Sequence, residues 1–285
     1  MNEDKEVELI EPVIEKDQVH IIEDSHFTPR NVCIVTGAAS GIGRATAIAM
    51  AANNTTVIGA DVNSDGGVRT VEMAEDLGGK VVFVKTDLTK DEDIENCVRE
   101  AAKCGSIKFL ANIAGMQHID PMEKFPMGMY DKMQKIMLRA PFCLSKLCIS
   151  YMRTSEDSVG VIGNMASVHA HICTLNKPAY NIMKFGLRGL SQSIAAEGEG
   201  KIRSFSVSVG FVKTPLTLGQ VSAQAKQRKI TPKQVITEVM LGKSRVKEMM
   251  SPIEVANLFA IGFSHLGKYL VGGDLLFDGG MVLTY

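Results

Sequence analysis

Three side chains have the types and spacing to move a proton. Ser167 is followed after thirteen residues by Tyr180, and Tyr180 after four by Lys184. An i, i+4 pair shares one face of a helix, so the phenol and the ammonium are expected side by side. A phenol in water titrates near ~10. A neighbouring positive charge favours the phenolate. Such a group can exchange a proton with a carbinol or carbonyl oxygen near neutral pH. Ser167 follows the apolar run Val161–Asn164 and is placed to hold that oxygen by a hydrogen bond.

A second constellation lies upstream. Thr36-Gly37-Ala38-Ala39-Ser40-Gly41-Ile42-Gly43 follows an apolar run and opens a helical pattern. Glycines at these spacings allow a tight turn and close approach of the backbone to a pyrophosphate. The helix start behind them offers free N–H groups and the positive end of its dipole. The reading is specific because the glycines sit at a strand–helix junction. Eighteen residues after Gly43 the next strand pattern ends in Asp61. A carboxylate there accepts hydrogen bonds from the ribose hydroxyls of NAD and repels the 2′-phosphate of NADP. Val62 follows rather than arginine, and Ser40 stands where a basic residue could have met that phosphate. NAD is therefore the expected cofactor. Asp87 is read either as a partner of the adenine amino group or as a cap for the helix pattern at Asp91–Ile94. Asn112 and Gly115 end the fourth strand, where a doubly wound sheet has its ligand crevice. Ser40, Ile42, Val212 and Thr214 complete the cofactor set, with Tyr180 and Lys184 at its reactive end.

These residues need a scaffold, and the rest of the chain describes one. Apolar, β-branched runs at Val32–Thr36, Thr56–Asp61, Val81–Asp87, Phe109–Asn112, Gly160–Asn164, Ser204–Val209 and Leu270–Phe277 read as seven strands. Helical patterns lie between most of them, at Gly43–Ala52, Gly66–Leu77, Asp91–Ala102, Met129–Arg153 and Ala179–Glu197. The alternation implies an α/β domain with a doubly wound parallel seven-stranded sheet, its continuously apolar strands covered by helices on both faces. Residues 29–285 form this single domain. Residues 1–28 are read as an acid-rich extension outside the core, a mobile tail or an arm on a neighbouring subunit. Residues 214–250 break the rhythm and are read as a lid over the substrate. A capping box with proline, Ser251-Pro252-Ile253-Glu254, starts the next helix.

Bulk properties narrow the function classes. The 285 residues carry 31 basic and 32 acidic side chains, a net charge of −1. That balance gives no expectation of a nucleic-acid partner. No apolar run is long enough for a bilayer, and the N-terminus lacks the form of a signal peptide. The six cysteines form no CxxC pair and read as reduced core thiols, so the protein is expected in the cytoplasm. His169 and His171 lie on a segment read as extended, with no cysteine or carboxylate cluster nearby in sequence, so no metal site is expected. The sixteen methionines read as adaptable packing.

Together these motifs resemble the short-chain dehydrogenase/reductase superfamily over about residues 31–283, with its Rossmann-type fold. More narrowly the chain resembles the D-3-hydroxybutyrate dehydrogenases. The carrying segments are Ala114-Gly115-Met116-Gln117-His118, Asn164-Met165-Ala166-Ser167-Val168-His169, Asn176-Lys177-Pro178-Ala179-Tyr180, and Thr214-Pro215-Leu216 leading to Gln220. The resemblance implies that Gln117, His169, Lys177 and Gln220 hold a small carboxylate, which suits a cation with hydrogen-bond donors. Phe211 stands where the family usually has tryptophan and is expected to wall the pocket. The implied assembly is a homotetramer, and the apolar stretch Leu275–Tyr285 is consistent with an interface. One position departs: Met137 stands where the family usually has an asparagine that holds a water for proton relay. The leading expectation is oxidation of a short 3-hydroxy acid by NAD, or reduction of the 3-oxo acid. The rivals are a reductase of 3-oxoacyl thioesters, a polyol dehydrogenase, and a catalytically silent nucleotide-binding protein.

Overall fold

The computed structural model describes residues 9–155 and 159–284. Its centre is a seven-stranded sheet in the order β3-β2-β1-β4-β5-β6-β7, with every neighbouring pair parallel. The strands are β1 (Asn31–Thr36), β2 (Thr56–Asp61), β3 (Lys80–Lys85), β4 (Ser106–Asn112), β5 (Gly160–Met165), β6 (Ile202–Val209) and β7 (Asp274–Phe277). The helices are α1 (Gly41–Ala52), α2 (Ser64–Asp76), α3 (Asp91–Cys104), α4 (Met127–Gln134), α5 (Ala140–Thr154), α6 (Pro178–Glu197), α7 (Pro215–Arg228), α8 (Pro232–Gln234) and α9 (Pro252–Phe263). All seven expected strands are present, with β3 and β7 shorter than their apolar runs.

Alternation along the central strands decides which helix covers which face. On β1, Cys33 and Val35 face a core shared with α1 and α9, while Val32 and Ile34 face one shared with α3 and α5. All four are fully buried, and removing a Val or Ile side chain from water stabilises by ~1.5–3 kcal/mol. The chain crosses from one side of β1 to the other between β3 and β4. The carboxyl ends of β1 and β4 therefore diverge and leave the crevice in which such sheets bind ligands.

Helix α4 runs into α5 through one wide π-helical turn, Lys135–Arg139, which contains Met137. Insertions of this kind are frequent at functional sites. The capping box at Ser251 forms as read, with the Ser251 backbone N–H donating to Glu254 Oε2 at 2.7 Å. Within 214–250, α7 and the continuous segment of α8 with residues 235–240 share a small core of Val221, Val235, Met240 and Leu241.

Two expectations need correction. Residues 9–28 do not lie outside the core. Val19 is buried against α1 and α9 with Ala45, Ala49, Ile253 and Ala256, and Phe27 packs edge-on against Phe109. Asn257 bonds the backbone of Gln18 and His20, and Asn53 that of His20 and Ile22. The segment's apolar residues fit a groove between two helices, which charge-interleaved sequence concealed. Its first eight residues, Val7 among them, lie outside the described residues, as does Tyr285. Second, His169 and His171 sit not on an extended segment but around a short 3₁₀ turn, Val168–Ala170.

Candidate active site

The turn after β1 has the conformation its glycines imply. Gly37 and Gly41 have φ of 72° and 55°, in the left-handed region. A Cβ on Gly43 would lie 2.0 Å from the Gly37 carbonyl oxygen, so only hydrogen fits where the helix closes on the turn. Ser40, at the N-cap of α1, makes no side-chain cap bond, which leaves first-turn N–H groups for another acceptor.

A cavity of about 680 Å³ opens from this turn across the carboxyl ends of the strands. Of the candidate cofactor residues, Gly37, Ser40, Gly41, Ile42, Gly43, Asp61, Asp87, Gly115, Tyr180, Lys184, Val212 and Thr214 line it, as does Ser167. Asn112 does not: its amide donates to Asn164 Oδ1 at 2.9 Å inside the sheet. Asp61 is held at the rim by the N–H groups of Ala39 and Asn63, at 3.0 and 2.9 Å. Asp87 also borders the cavity, and its carboxylate accepts from the backbone and hydroxyl of Thr89. Those bonds hold it below its ordinary pKa. An extended space with the glycine turn and the start of α1 in the middle, a carboxylate at one end and Tyr180 with Lys184 at the other fits a nicotinamide dinucleotide.

At the reactive end Lys184 is buried and donates to the Met165 carbonyl oxygen at 2.6 Å, with its ammonium 5.4 Å from the Tyr180 ring centroid. The ammonium alone does not make Tyr180 a phenolate; the expectation also rests on a positive nicotinamide ring beside it. Burial pushes Tyr180 up to about 12, although its bond with Ser167 pulls the other way. Burial also pushes Lys184 down to about 7. Burial sets both directions: it favours the protonated phenol and holds the lysine well below its ordinary value. His169 packs edge-on against Tyr180 with ring centroids 5.4 Å apart. Its ring nitrogens face Ser167 Oγ at 3.2 Å and Thr174 Oγ1 at 2.9 Å. Burial, then the charges of Lys177 and Lys184, push it down to about 3, so it is neutral.

The residues expected at a carboxylate converge in part. Gln220 Nε2 donates to Gln117 Oε1 at 3.1 Å. That leaves Gln117 Nε2 buried with no partner among the described residues. Lys177 follows Asn176, whose φ of 62° turns the chain, and burial holds its ammonium at about 8. None of Gln117, His169, Lys177 or Gln220 lines the cofactor-sized cavity. Phe211, expected as a pocket wall, packs against the Val221–Met249 cluster that α7 shares. Met137 is fully buried with Met133, Met183 and Ala179, and its methyl lies 3.8 Å from the Cβ position of Gly115. An apolar plug stands behind Tyr180 where a polar side chain was the family's pattern.

Three contacts had no signal in the sequence. Thr174 fixes His169, the Met165 carbonyl fixes Lys184, and Glu11 lies on the first N–H of α1 and on Arg44. Each depends on tertiary placement of a residue type that is ordinary on a surface.

The parallel sheet, the glycine turn and the Ser–Tyr–Lys cluster define a nucleotide-dependent oxidoreductase scaffold, and comparison with known proteins agrees. A family model described as enoyl-(acyl carrier protein) reductase matches residues 37–282. The chain is 31% identical over 251 residues to a D-beta-hydroxybutyrate dehydrogenase of Rhizobium meliloti, covering 87% of this chain and 96% of that one. It is 29% identical over 254 residues to a 3-oxoacyl-[acyl-carrier-protein] reductase of Thermotoga maritima, covering 88% and 98%. A crystal structure of levodione reductase superposes with a TM-score of 0.82 at 28% identity, over 91% of this chain and 100% of that one. The chain belongs to the short-chain dehydrogenase/reductase superfamily, whose members use a nicotinamide cofactor. Among the described residues, no helix is long and apolar enough to cross a membrane.

Proposed function

We propose that this chain interconverts a short 3-hydroxy acid and its 3-oxo acid with NAD, the pair 3-hydroxybutyrate and acetoacetate being the simplest fit. The observation that carries the reading is the buried, unpartnered amide nitrogen of Gln117, together with a neutral His169 that lies beside Ser167 and Tyr180 and feels the charge of Lys177. A free donor in a desolvated place is costly unless a ligand accepts from it. A substrate carboxylate accepts several such bonds, and Lys177 supplies the charge that makes them strong. Asp61 at the adenosine end supports NAD over NADP, because a second anion there meets its carboxylate.

The nicotinamide ring supplies the hydride acceptor or donor, and its positive oxidised form lowers the pKa of a phenol beside it. The chain's residues do the rest. Ser167 Oγ holds the reacting oxygen. Tyr180 Oη, protonated at rest, gives its proton to a carbonyl oxygen as it becomes a carbinol, and takes it back in the reverse direction. Lys184, anchored on Met165, sits beside that phenol and accompanies its change of charge. His169, held neutral by burial, has a ring nitrogen 3.2 Å from Ser167 Oγ and positions that hydroxyl. Self-assembly as a homotetramer is part of the proposal, supported by the exposed Phe142, Ile182 and Phe185 of α5 and α6 and by Leu276 and Phe277 of the edge strand.

The test is oxidation of NADH with acetoacetate, run beside NADPH and beside acetoacetyl-CoA. Turnover with NADH and the free acid alone is the expected result. Preference for the thioester with NADPH would replace this reading with a thioester reductase. Tight NADH binding without turnover of any 3-oxo compound would indicate a silent binding protein.

A further inference from the structure

The N-terminal arm reaches the cofactor turn with a carboxylate. Glu11 Oε1 accepts from the backbone N–H of Gly41, the first residue of α1, at 2.5 Å. Its other oxygen lies 3.3 Å from an Arg44 guanidinium nitrogen. Both side chains are largely shielded, at 18% and 10% exposure, so the pair is screened less than a surface ion pair. Arg44 is itself fixed by Thr70 and by the Ala39 carbonyl of the turn. The arm is held on either side of Glu11. Leu9 packs against the cluster under α7, and Ile14 and Val19 pack into the groove between α1 and α9. The arm therefore touches the phosphate turn through Glu11 and the α7 cluster through Leu9. Gly41 itself lines the cavity, and the position of its Cβ is 3.2 Å from Thr214, which lines the opposite wall.

We propose that Glu11 is a built-in competitor of the cofactor diphosphate, and that the arm must release the α1 terminus for the cofactor to bind fully. A helix N-terminus stabilises one anion. A carboxylate already there takes an N–H donor and repels a second negative group. The diphosphate is common to NAD and NADP, so the proposal rests on the cofactor occupying this cavity and on neither the choice of dinucleotide nor the substrate. A chain that reduces no 3-oxo acid leaves the test intact.

The experiment compares binding of NADH, ADP-ribose and adenosine to the full chain and to Glu11→Gln. Loss of one carboxylate charge at a helix start is expected to tighten NADH and ADP-ribose about tenfold, equivalent to ~1.4 kcal/mol. Adenosine, which has no phosphate, is expected to bind both proteins alike. Equal or weaker binding of ADP-ribose to Glu11→Gln overturns the proposal, as does equal tightening of adenosine. An independent readout needs no variant. Amide exchange over residues 9–15 of the native chain should accelerate when NADH saturates it, and slower or unchanged exchange overturns the proposal.

Discussion

Lys177 offers the sharpest test of the carboxylate site. Burial alone lowers its pKa from 10.5 to about 8. The ammonium is charged below that value and neutral above it, so attraction for an anionic substrate is present at low pH and lost as pH rises through 8. A hydrogen bond from a charged group contributes ~1.5–3 kcal/mol, or roughly ten- to a hundredfold in kcat/KM. Lys184 titrates near 7 and disturbs the same profile. Its effect cancels when the free acid is compared with its neutral methyl ester, because both need the same proton transfer. The assay is the ratio of kcat/KM for acetoacetate over methyl acetoacetate, from pH 6 to 10, with NADH. In the native protein the ratio should be constant on the acid side and fall above pH 8. Lys177→Met should lower it by that ten- to hundredfold and flatten it, while Lys177→Arg should keep the charge and move the fall to higher pH. A ratio that is flat in the native protein, or unaltered in Lys177→Met, refutes the assignment.

Other expectations concern single residues. Met137→Asn should raise kcat by restoring a polar link behind Tyr180, at a cost in melting temperature because the site is fully buried; an equal or lower kcat in a folded variant removes the relay argument. Asp61→Asn should shift the NADPH-to-NADH preference toward NADPH by about tenfold, as one like-charge contact is lost; an unchanged ratio of Kd values would count against Asp61 as the selector. His169 is neutral in the fold down to about 3 against 6.5 when unfolded, so between those values the unfolded chain binds the extra proton. Its share of stability is fully present above pH 6.5 and is lost on acidification, at about 1.4 kcal/mol per pH unit where the slope is greatest. Melting curves of His169→Gln should show a shallower acid limb, and identical limbs would mean that His169 is solvated.

Much of this molecule is legible in one dimension because the deciding physics is local. The glycines at 37, 41 and 43 answer to backbone conformation and close approach within one turn. Tyr180 and Lys184 share a face because both lie on α6. The seven strands follow from runs of β-branched residues and their parallel sense from the helices between them, whereas the order β3-β2-β1-β4-β5-β6-β7 is set by the tertiary structure. What remained hidden depends on partners far apart along the chain. The direction of the Tyr180 shift is set by how far α6 and the β5 turn bury a phenol that still lines the cavity, which no spacing records. Asn112 ends β4 as read, but its register opposite Asn164 turns its amide into the sheet. Phe211 follows β6 as the family pattern places it, but its packing against Val221 and Met249 depends on where α7 folds back. The arm is the largest case. Glu11 is thirty residues from Gly41 in sequence, and nothing in an acidic, glycine-free segment distinguishes it from its neighbours. Only the groove between α1 and α9, which exists once the sheet has brought those helices together, carries its carboxylate to the phosphate turn.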